Sequence, residues 1–348
     1  MLRLGLVGLG MAVTPHALAL LDLADEVEVA AAFSPTEARR AAFAARFAFP
    51  MVDRLEAILD DPSIDAVLIL TPPNTHLDLA ARAAAAGKHV LLEKPLEVST
   101  ARAEALVAAC EAAGVTLGVV LQHRFRPAAE RLAALLDEGS LGRIVGCSTE
   151  IRLWRPQAYY DEPGRGTLAR DGGGVLLTQG IHTLDLMLSL AGPIAEVAGF
   201  TATALHRMET EDMACVAVRF ASGALGTIDA TTAAYPGFPE RIALICEHGS
   251  ASLSGAGLAV AWHDGRTVEL AGDPGAGGTG ADPMAFSHAG HRAVIADFAR
   301  AVRTGGAPRV SGREALGVHR LIDAIIAAGR DGRTAFVSQT ETNSRPSG

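Results

Sequence analysis

Residues 172–187 read GGGVLLTQGIHTLDLM. Three glycines lead into an apolar run that holds one histidine, His182, with Asp185 shortly after it and Thr178 four positions before. An imidazole in such a run is either a packed core group or a proton carrier. A second candidate is Lys94 in LLEKPLEV, where Glu93-Lys94-Pro95 closes an apolar strand. A lysine at the C-terminal end of a parallel strand faces the ligand crevice, where its ammonium can bond a hydroxyl and stabilise developing negative charge. Taken singly it also reads as a solvated surface residue. The third stretch is GLVGLGMAV, with Gly8-x-Gly10 directly after a strand and before a helix. Glycine allows the tight turn and lets the backbone approach a pyrophosphate that the helix N-terminus attracts. The third position of that fingerprint holds Val13 instead of glycine or alanine, so either helix and strand stand further apart or the turn has another shape.

The elements around these residues divide the chain in two. Up to residue 123, apolar strands (LRLGLVG, VEVAAAF, DAVLIL, KHVLLEKP, VTLGVVL) alternate with helical segments (14–24, TEARRAAFAARF, HLDLAARAAAAG, TARAEALVAACEAAG). That alternation predicts a doubly wound parallel sheet with helices on both faces. After a helix over 127–138 the pattern turns to strands: GRIVGCSTEIRLW, IAEVAGFTATAL, MACVAVRFA, GALGTIDATTA, RIALICEHG, GLAVAWH and RTVEL. They predict a mostly antiparallel open sheet with helices on one face, one helix being inserted at 174–190. Residues 271–283 read as a glycine-rich loop, two helices follow near 288–304 and 311–330, and 331–348 read as a polar tail. The expected domains are therefore 1–123, dinucleotide-binding, and 124–330, for substrate and oligomerisation.

The chain has 348 residues, a formal net charge of -9, 49% hydrophobic and 20% charged residues. This composition fits a globular protein and offers no basic surface for nucleic acid or anionic membrane. Cys110, Cys147, Cys215 and Cys246 are far apart and form no metal or disulfide spacing, which points to a reducing cytoplasm. The N-terminus imitates a secretory signal, but three glycines break its apolar run and a βα pattern continues from it. His288-x-x-His291 has helical ligand spacing without an evident carboxylate or thiolate to complete a site, so no metal is expected.

The end of the second strand, AAAFSPTEARR, bears on which dinucleotide binds. No acid stands at Phe33 or Ser34 to bond ribose hydroxyls and repel a phosphate. Ser34 with Arg39 or Arg40 permits NADP beside NAD. Both arginines also read as solvated helix residues.

GLVGLG, TPPNTHLDLAARAAAAGKHVLLEKPL, HRFRP, WRPQAYYDEPGRGT and GGGVLLTQGIHTLDLM occur in this order. Together they resemble the glucose–fructose oxidoreductase / inositol dehydrogenase (Gfo/Idh/MocA) family from residue 1 to about 330. The resemblance implies an NAD- or NADP-dependent oxidoreductase acting on a CH–OH group of a sugar or cyclitol, a homodimer or homotetramer with a small sugar-like substrate. It implies Lys94 and His182 as the catalytic pair, His182 as general base and Lys94 orienting the hydroxyl, with Asp185 as a support for the helix or for His182. Cofactor contacts fall on Gly8, Gly10, Met11, Ala12, Ser34, Arg39, Thr71, Pro72, Asn74, His76, Glu93 and Lys94. Substrate contacts fall on Lys94, Arg124, Trp154, Arg155, Tyr160, Arg165, Thr178 and His182, the arginines suiting an acidic sugar or sugar derivative. Thr178 departs from the family pattern that the resemblance implies: many polyol-oxidising members carry aspartate there, one turn from the histidine on the same helix face, and a sugar-nucleotide-oxidising branch often has asparagine. Threonine holds no charge, so the work concentrates on His182 and Lys94.

Two other readings stay open. One is a redox-neutral glycoside-processing enzyme with tightly bound NAD that works through a transient keto-sugar. The other is a non-catalytic dinucleotide-sensing regulator, which has no need for a proton carrier and a lysine.

Overall fold

The computed structural model describes residues 1–272 and 287–338. Most of the expected glycine-rich loop, and the tail from 339 on, lie outside them.

The first compact unit comprises Met1–Arg126, Pro163–Gly173 and the described part of Pro283–Leu316. Its parallel sheet contains β1 (Leu2–Val7), β2 (Val27–Phe33), β3 (Met51–Val52), β4 (Ala66–Ile69), β5 (His89–Glu93) and β6 (Leu117–Val120). The order is β3-β2-β1-β4-β5-β6, which puts the topological switch between β1 and β4. Strands β4 and β6 are buried at every position, as expected where helices cover both faces. Helices α1 (Val13–Asp22), α2 (Glu37–Ala44), α3 (Glu56–Leu59), α4 (His76–Ala85) and α5 (Thr100–Ala112) connect the strands. The sequence pattern missed β3 and α3, which have two and four residues, too few to show a period.

The second unit comprises Pro127–Glu162 and the described parts of Gly174–Asp282 and Gly317–Gly348. It runs through α6 (Pro127–Asp137), β7 (Ile144–Arg152), α7 (Gln157–Tyr160), α8 (Val175–Thr178) and α9 (Ile181–Ala191). Strands β8 (Ile194–Ala202), β9 (Met213–Phe220), β10 (Leu225–Thr231), β11 (Arg241–Cys246), β12 (Gly249–Ser254), β13 (Gly257–Trp262) and β14 (Thr267–Leu270) follow. The nine-stranded sheet has the order β14-β13-β12-β11-β7-β10-β9-β8-β15, where β15 is Ala335–Phe336. Among the described strands of this sheet only β7 and β10 pair in parallel. Burial alternates along β9, β11 and β13, so one face carries the core; α6, α8 and α9 pack on the sheet.

The units are not two consecutive blocks meeting at residue 123. The helix α10 (Ala289–Thr304) returns to the first unit, because Val294, Ile295 and Phe298 pack into the core beside α1. The last helix, α11 (Gly312–Asp331), begins in the first unit and ends in the second. Within the expected polar tail, Ala335–Phe336 pairs with β8. The expected helix over 174–190 is also two helices, interrupted at Gln179–Gly180, where the Gly180 N–H donates to Val175 O at 2.7 Å. Thr178 and His182 therefore share no continuous helix face.

Candidate functional site

At the C-terminal ends of β1 and β4, the first unit builds a turn around Gly8 and Gly10. Gly8 has φ +103, and a Cβ on it would lie 2.8 Å from the carbonyl carbon of Leu70, so no side chain fits. A Cβ on Gly10 would meet no atom within 4 Å. Its backbone faces open space, the cradle that a diphosphate requires. Helix α1 then starts with neither a side-chain cap nor an acid in its first turn, leaving N–H groups and positive dipole for an anion. These residues fit a dinucleotide. Val13 is 3% exposed and belongs to the core, so the fingerprint's third position is filled by apolar packing.

Around the turn, Met11 is exposed and Ala12 half-buried. Ser34 is buried at the end of β2, and Arg40, not Arg39, reaches it: Arg40 Nη1 donates to Ser34 O at 2.7 Å while Arg39 is exposed. Thr71 is half-buried; Pro72 and Asn74 are exposed. Two of the expected cofactor contacts are buried and bonded within the protein. His76 is fully buried, with Nδ1 3.0 Å from Pro95 O and Nε2 2.8 Å from Thr71 O, so it ties the loop after β4 to the loop after β5. Burial pushes its imidazole down. Glu93 is buried at the end of β5, 2.9 Å from His16 Nε2, and accepts the Lys94 amide N–H at 2.8 Å. Lys94 follows, half-buried, with a cis bond to Pro95.

Arg124 and Arg165, expected near substrate with the others, belong to the first unit. Arg124 is paired with Glu314 at 3.4 Å, and its carbonyl accepts from Arg309. Arg165 is half-buried.

Trp154, Arg155, Tyr160, Thr178 and His182 belong to the second unit. Trp154 is half-buried and meets Tyr235 edge-on, ring centroids 5.5 Å apart. Arg155 is buried, donates to Trp154 O at 2.7 Å and lies over the Tyr159 ring. Tyr160 is no open stacking surface: it is buried, its hydroxyl donates to Thr232 Oγ1 at 2.8 Å, and burial pushes its phenol up to about 12. Thr178 Oγ1 bonds Gly174 O at 2.7 Å and also contacts Gln179. His182 is half-buried in the first turn of α9, and Asp185 is buried one turn on.

Sequence reasoning missed the acids that hold this region. Glu211 accepts the amides of Gly174 at 3.0 Å and Leu176 at 3.1 Å, and its own carbonyl accepts from Val175, so it caps α8. Burial raises its carboxyl although these amides pull the other way. Asp212 accepts the amides of Ala204, Leu205 and His206. Burial raises its carboxyl, but the amide bonds and His206 lower it by more. His206 joins Asp212 at 2.9 Å to Arg155 O at 2.8 Å. Their one sequence signal is the polar run HRMETED directly before an apolar strand, which also reads as a loop.

The two histidines of His288-x-x-His291 have different partners. His16, Glu93 and His291 offer ligand atoms within 4.8 Å of one another, all buried. His288 instead meets Asp22 at 2.8 Å.

The GFO/IDH/MocA oxidoreductase-family pattern, an NAD-binding Rossmann fold, matches residues 2–121, and the GFO/IDH/MocA C-terminal-domain pattern matches residues 129–252. The chain belongs to the Gfo/Idh/MocA family. It is an NAD(P)-dependent oxidoreductase. A D-apiose dehydrogenase from Paraburkholderia graminis is 28% identical, over 97% of this chain and 90% of the relative. A D-xylose 1-dehydrogenase (NADP(+)) from Haloferax volcanii is 32% identical, over 89% of this chain and 92% of the relative. Among solved structures, the WlbA dehydrogenase from Bordetella pertussis, in complex with NADH and UDP-GlcNAcA, superimposes with a TM-score of 0.84 at 28% identity, covering 97% of this chain and 98% of that one. Both halves of this Gfo/Idh/MocA chain thus fall within the expected architecture, a parallel Rossmann sheet followed by a mostly antiparallel one.

Proposed function

We propose that the chain oxidises or reduces one CH–OH group of a sugar or cyclitol. When bound, the dinucleotide supplies the hydride acceptor or donor. Lys94 bonds the reacting oxygen and stabilises its developing negative charge. In the oxidation direction His182 takes the hydroxyl proton as the carbon loses hydride and its C–O bond becomes C=O; the reverse direction returns both. Glu93 and His76 hold the loops that carry Lys94. Thr178 bonds backbone, so no carboxylate assists His182 from that position.

The observation that carries the proposal is the glycine cradle at the β1–β4 switch, in the same sheet whose β5 leads directly into Lys94. Dehydrogenases of apiose and xylose among the relatives support a sugar substrate, and the neighbour's UDP-GlcNAcA complex brings acidic sugars into its range. Four free cysteines support a reducing cytoplasm as the compartment, and no helix among the described residues is long and apolar enough to cross a membrane. Phe200 and Ile245, exposed on the open sheet, support a homodimer or homotetramer.

The test is turnover of NAD+ and NADP+ with D-xylose, D-apiose, myo-inositol and a nucleotide-linked uronate. Lys94→Ala and His182→Ala should each lower kcat on the best of these by at least about a hundredfold. Variants as fast as the parent overturn the assigned roles. A neutral polyol far preferred over any acidic sugar removes the acidic branch of the substrate class.

A further inference from the structure

Thirty side chains are lysine or arginine, yet only Lys88 and Lys94 are lysines. Lys88 is buried and donates to Asp61 O at 2.6 Å and Ile64 O at 2.8 Å. Lys94 is thus the one lysine that is not buried, and directly behind it lies the cluster of His16, Glu93 and His291.

We propose that His16, Glu93 and His291 form a positioning network for Lys94, which fixes a carboxylate behind the lysine and joins to it the helix leading from the dinucleotide turn. The network deepens the role given to Lys94 above, and its test reads the lysine itself instead of turnover, so the two can fail separately.

Three elements meet at Glu93. His16 from α1 lies 2.9 Å from Oε1; the Lys94 amide donates to Oε2 at 2.8 Å; His291 from α10 stands edge-on to His16, ring centroids 4.7 Å apart. Burial raises the Glu93 carboxyl, but the His16 bond and the charges of His16, Lys94 and His291 bring it down to about 2. Burial and the neighbouring His16 push His291 to about 3, so it is neutral at ordinary pH. The other groups acting here are His76 from α4, which Glu93 influences, and His288, which acts on His291. The carboxylate therefore stays charged beneath the lysine. The residue types also suit a metal. Metal-bound histidines usually donate their second ring N–H to an acceptor, however, and His16 Nδ1 is buried with no hydrogen-bond partner among the described residues. A hydrogen-bonded network accounts for the cluster better.

The test acylates the folded full-length chain with trace acetic anhydride at pH 8 and follows the two lysines by mass spectrometry. Removing the carboxylate charge in Glu93→Gln should raise Lys94 labelling about tenfold, since one fewer neighbouring anion favours the neutral amine. Lys88 should stay protected, which reports an intact fold. His16→Asn, which keeps the carboxylate and loosens it, should give a smaller rise. Unchanged Lys94 labelling in Glu93→Gln, or Lys94 and Lys88 rising together, overturns the proposal. So does one equivalent of metal in the purified protein by elemental analysis.

Discussion

Glu93 reaches back across the first unit to His16, Oε1 to Nε2 at 2.9 Å, while its other oxygen holds the amide of the next residue, Lys94. One buried carboxylate therefore links the helix after the dinucleotide turn to the turn that carries the lysine.

That link makes the fold acid-sensitive. The Glu93 carboxyl sits at about 2 in the folded chain against an ordinary 4.5, so its contribution is present above pH 4.5 and is lost as pH falls toward 2. His291 sits at about 3 against 6.5. The unfolded chain takes up that proton on acidification and the folded chain refuses it, so stability is again lost as pH falls, here from about 6.5 down. Urea midpoints measured from pH 7.5 to 4 should decline, and His291→Gln should flatten the part between 6.5 and 4.5. A parallel decline in parent and variant would exclude His291 as the source.

The two glycines of the dinucleotide turn should respond differently to alanine. Gly8→Ala places a methyl 2.8 Å from Leu70 backbone at positive φ, so thermal stability and NADH binding should both fall. Gly10→Ala meets nothing within 4 Å, so Tm should stay within about 2 °C. Its methyl would occupy the cradle itself, and NADH affinity by fluorescence titration should drop at least about tenfold. Full affinity in Gly10→Ala would show that the diphosphate lies elsewhere.

Much of this was legible in the sequence. Strand–helix alternation pointed to the parallel sheet, the succession of strand-like runs to the antiparallel one, and the glycine fingerprint marked the turn. What stayed hidden depends on long-range pairing. Nothing local in His16 tells that Glu93, 77 positions on, will meet it. Glu211 caps α8 from a position 37 residues after Gly174. The break at Gly180 was invisible because VLLTQGIHTLDLM keeps an apolar pattern across it. The resemblance that placed His76 and Tyr160 in the site does not report that both side chains are buried.

Cofactor preference should depend on Arg40 more than on Arg39. Arg40 is anchored on Ser34 O at 2.7 Å, at the end of a β2 that carries no acid, whereas Arg39 is exposed. Arg40→Ala should weaken NADPH binding by about 5- to 30-fold and leave NADH binding nearly unchanged, as expected for losing one charge-assisted phosphate contact. Equal weakening of both forms would make Arg40 a structural residue of that turn.

The last expectation concerns the segment that carries His182. Gly174 packs against Glu211 so closely that a Cβ would lie 1.8 Å from the Glu211 carbonyl oxygen and 2.7 Å from its side-chain Cδ. Gly174→Ala must therefore displace the start of α8, at a cost of about 2–4 kcal/mol in denaturant unfolding. Glu211→Gln keeps the shape and one acceptor oxygen but turns an –NH₂ toward the second amide, so one of the N–H groups of Gly174 and Leu176 loses its partner, at about 1–3 kcal/mol. Burial raises the Glu211 carboxyl, so its contribution is complete below pH 4.5 and is lost as pH rises through the raised value. Replacement by glutamine should remove that loss, which makes the variant's deficit larger at pH 4.5 than at pH 8. A deficit constant with pH, measured by urea unfolding, would show that the carboxyl keeps the same protonation in both states.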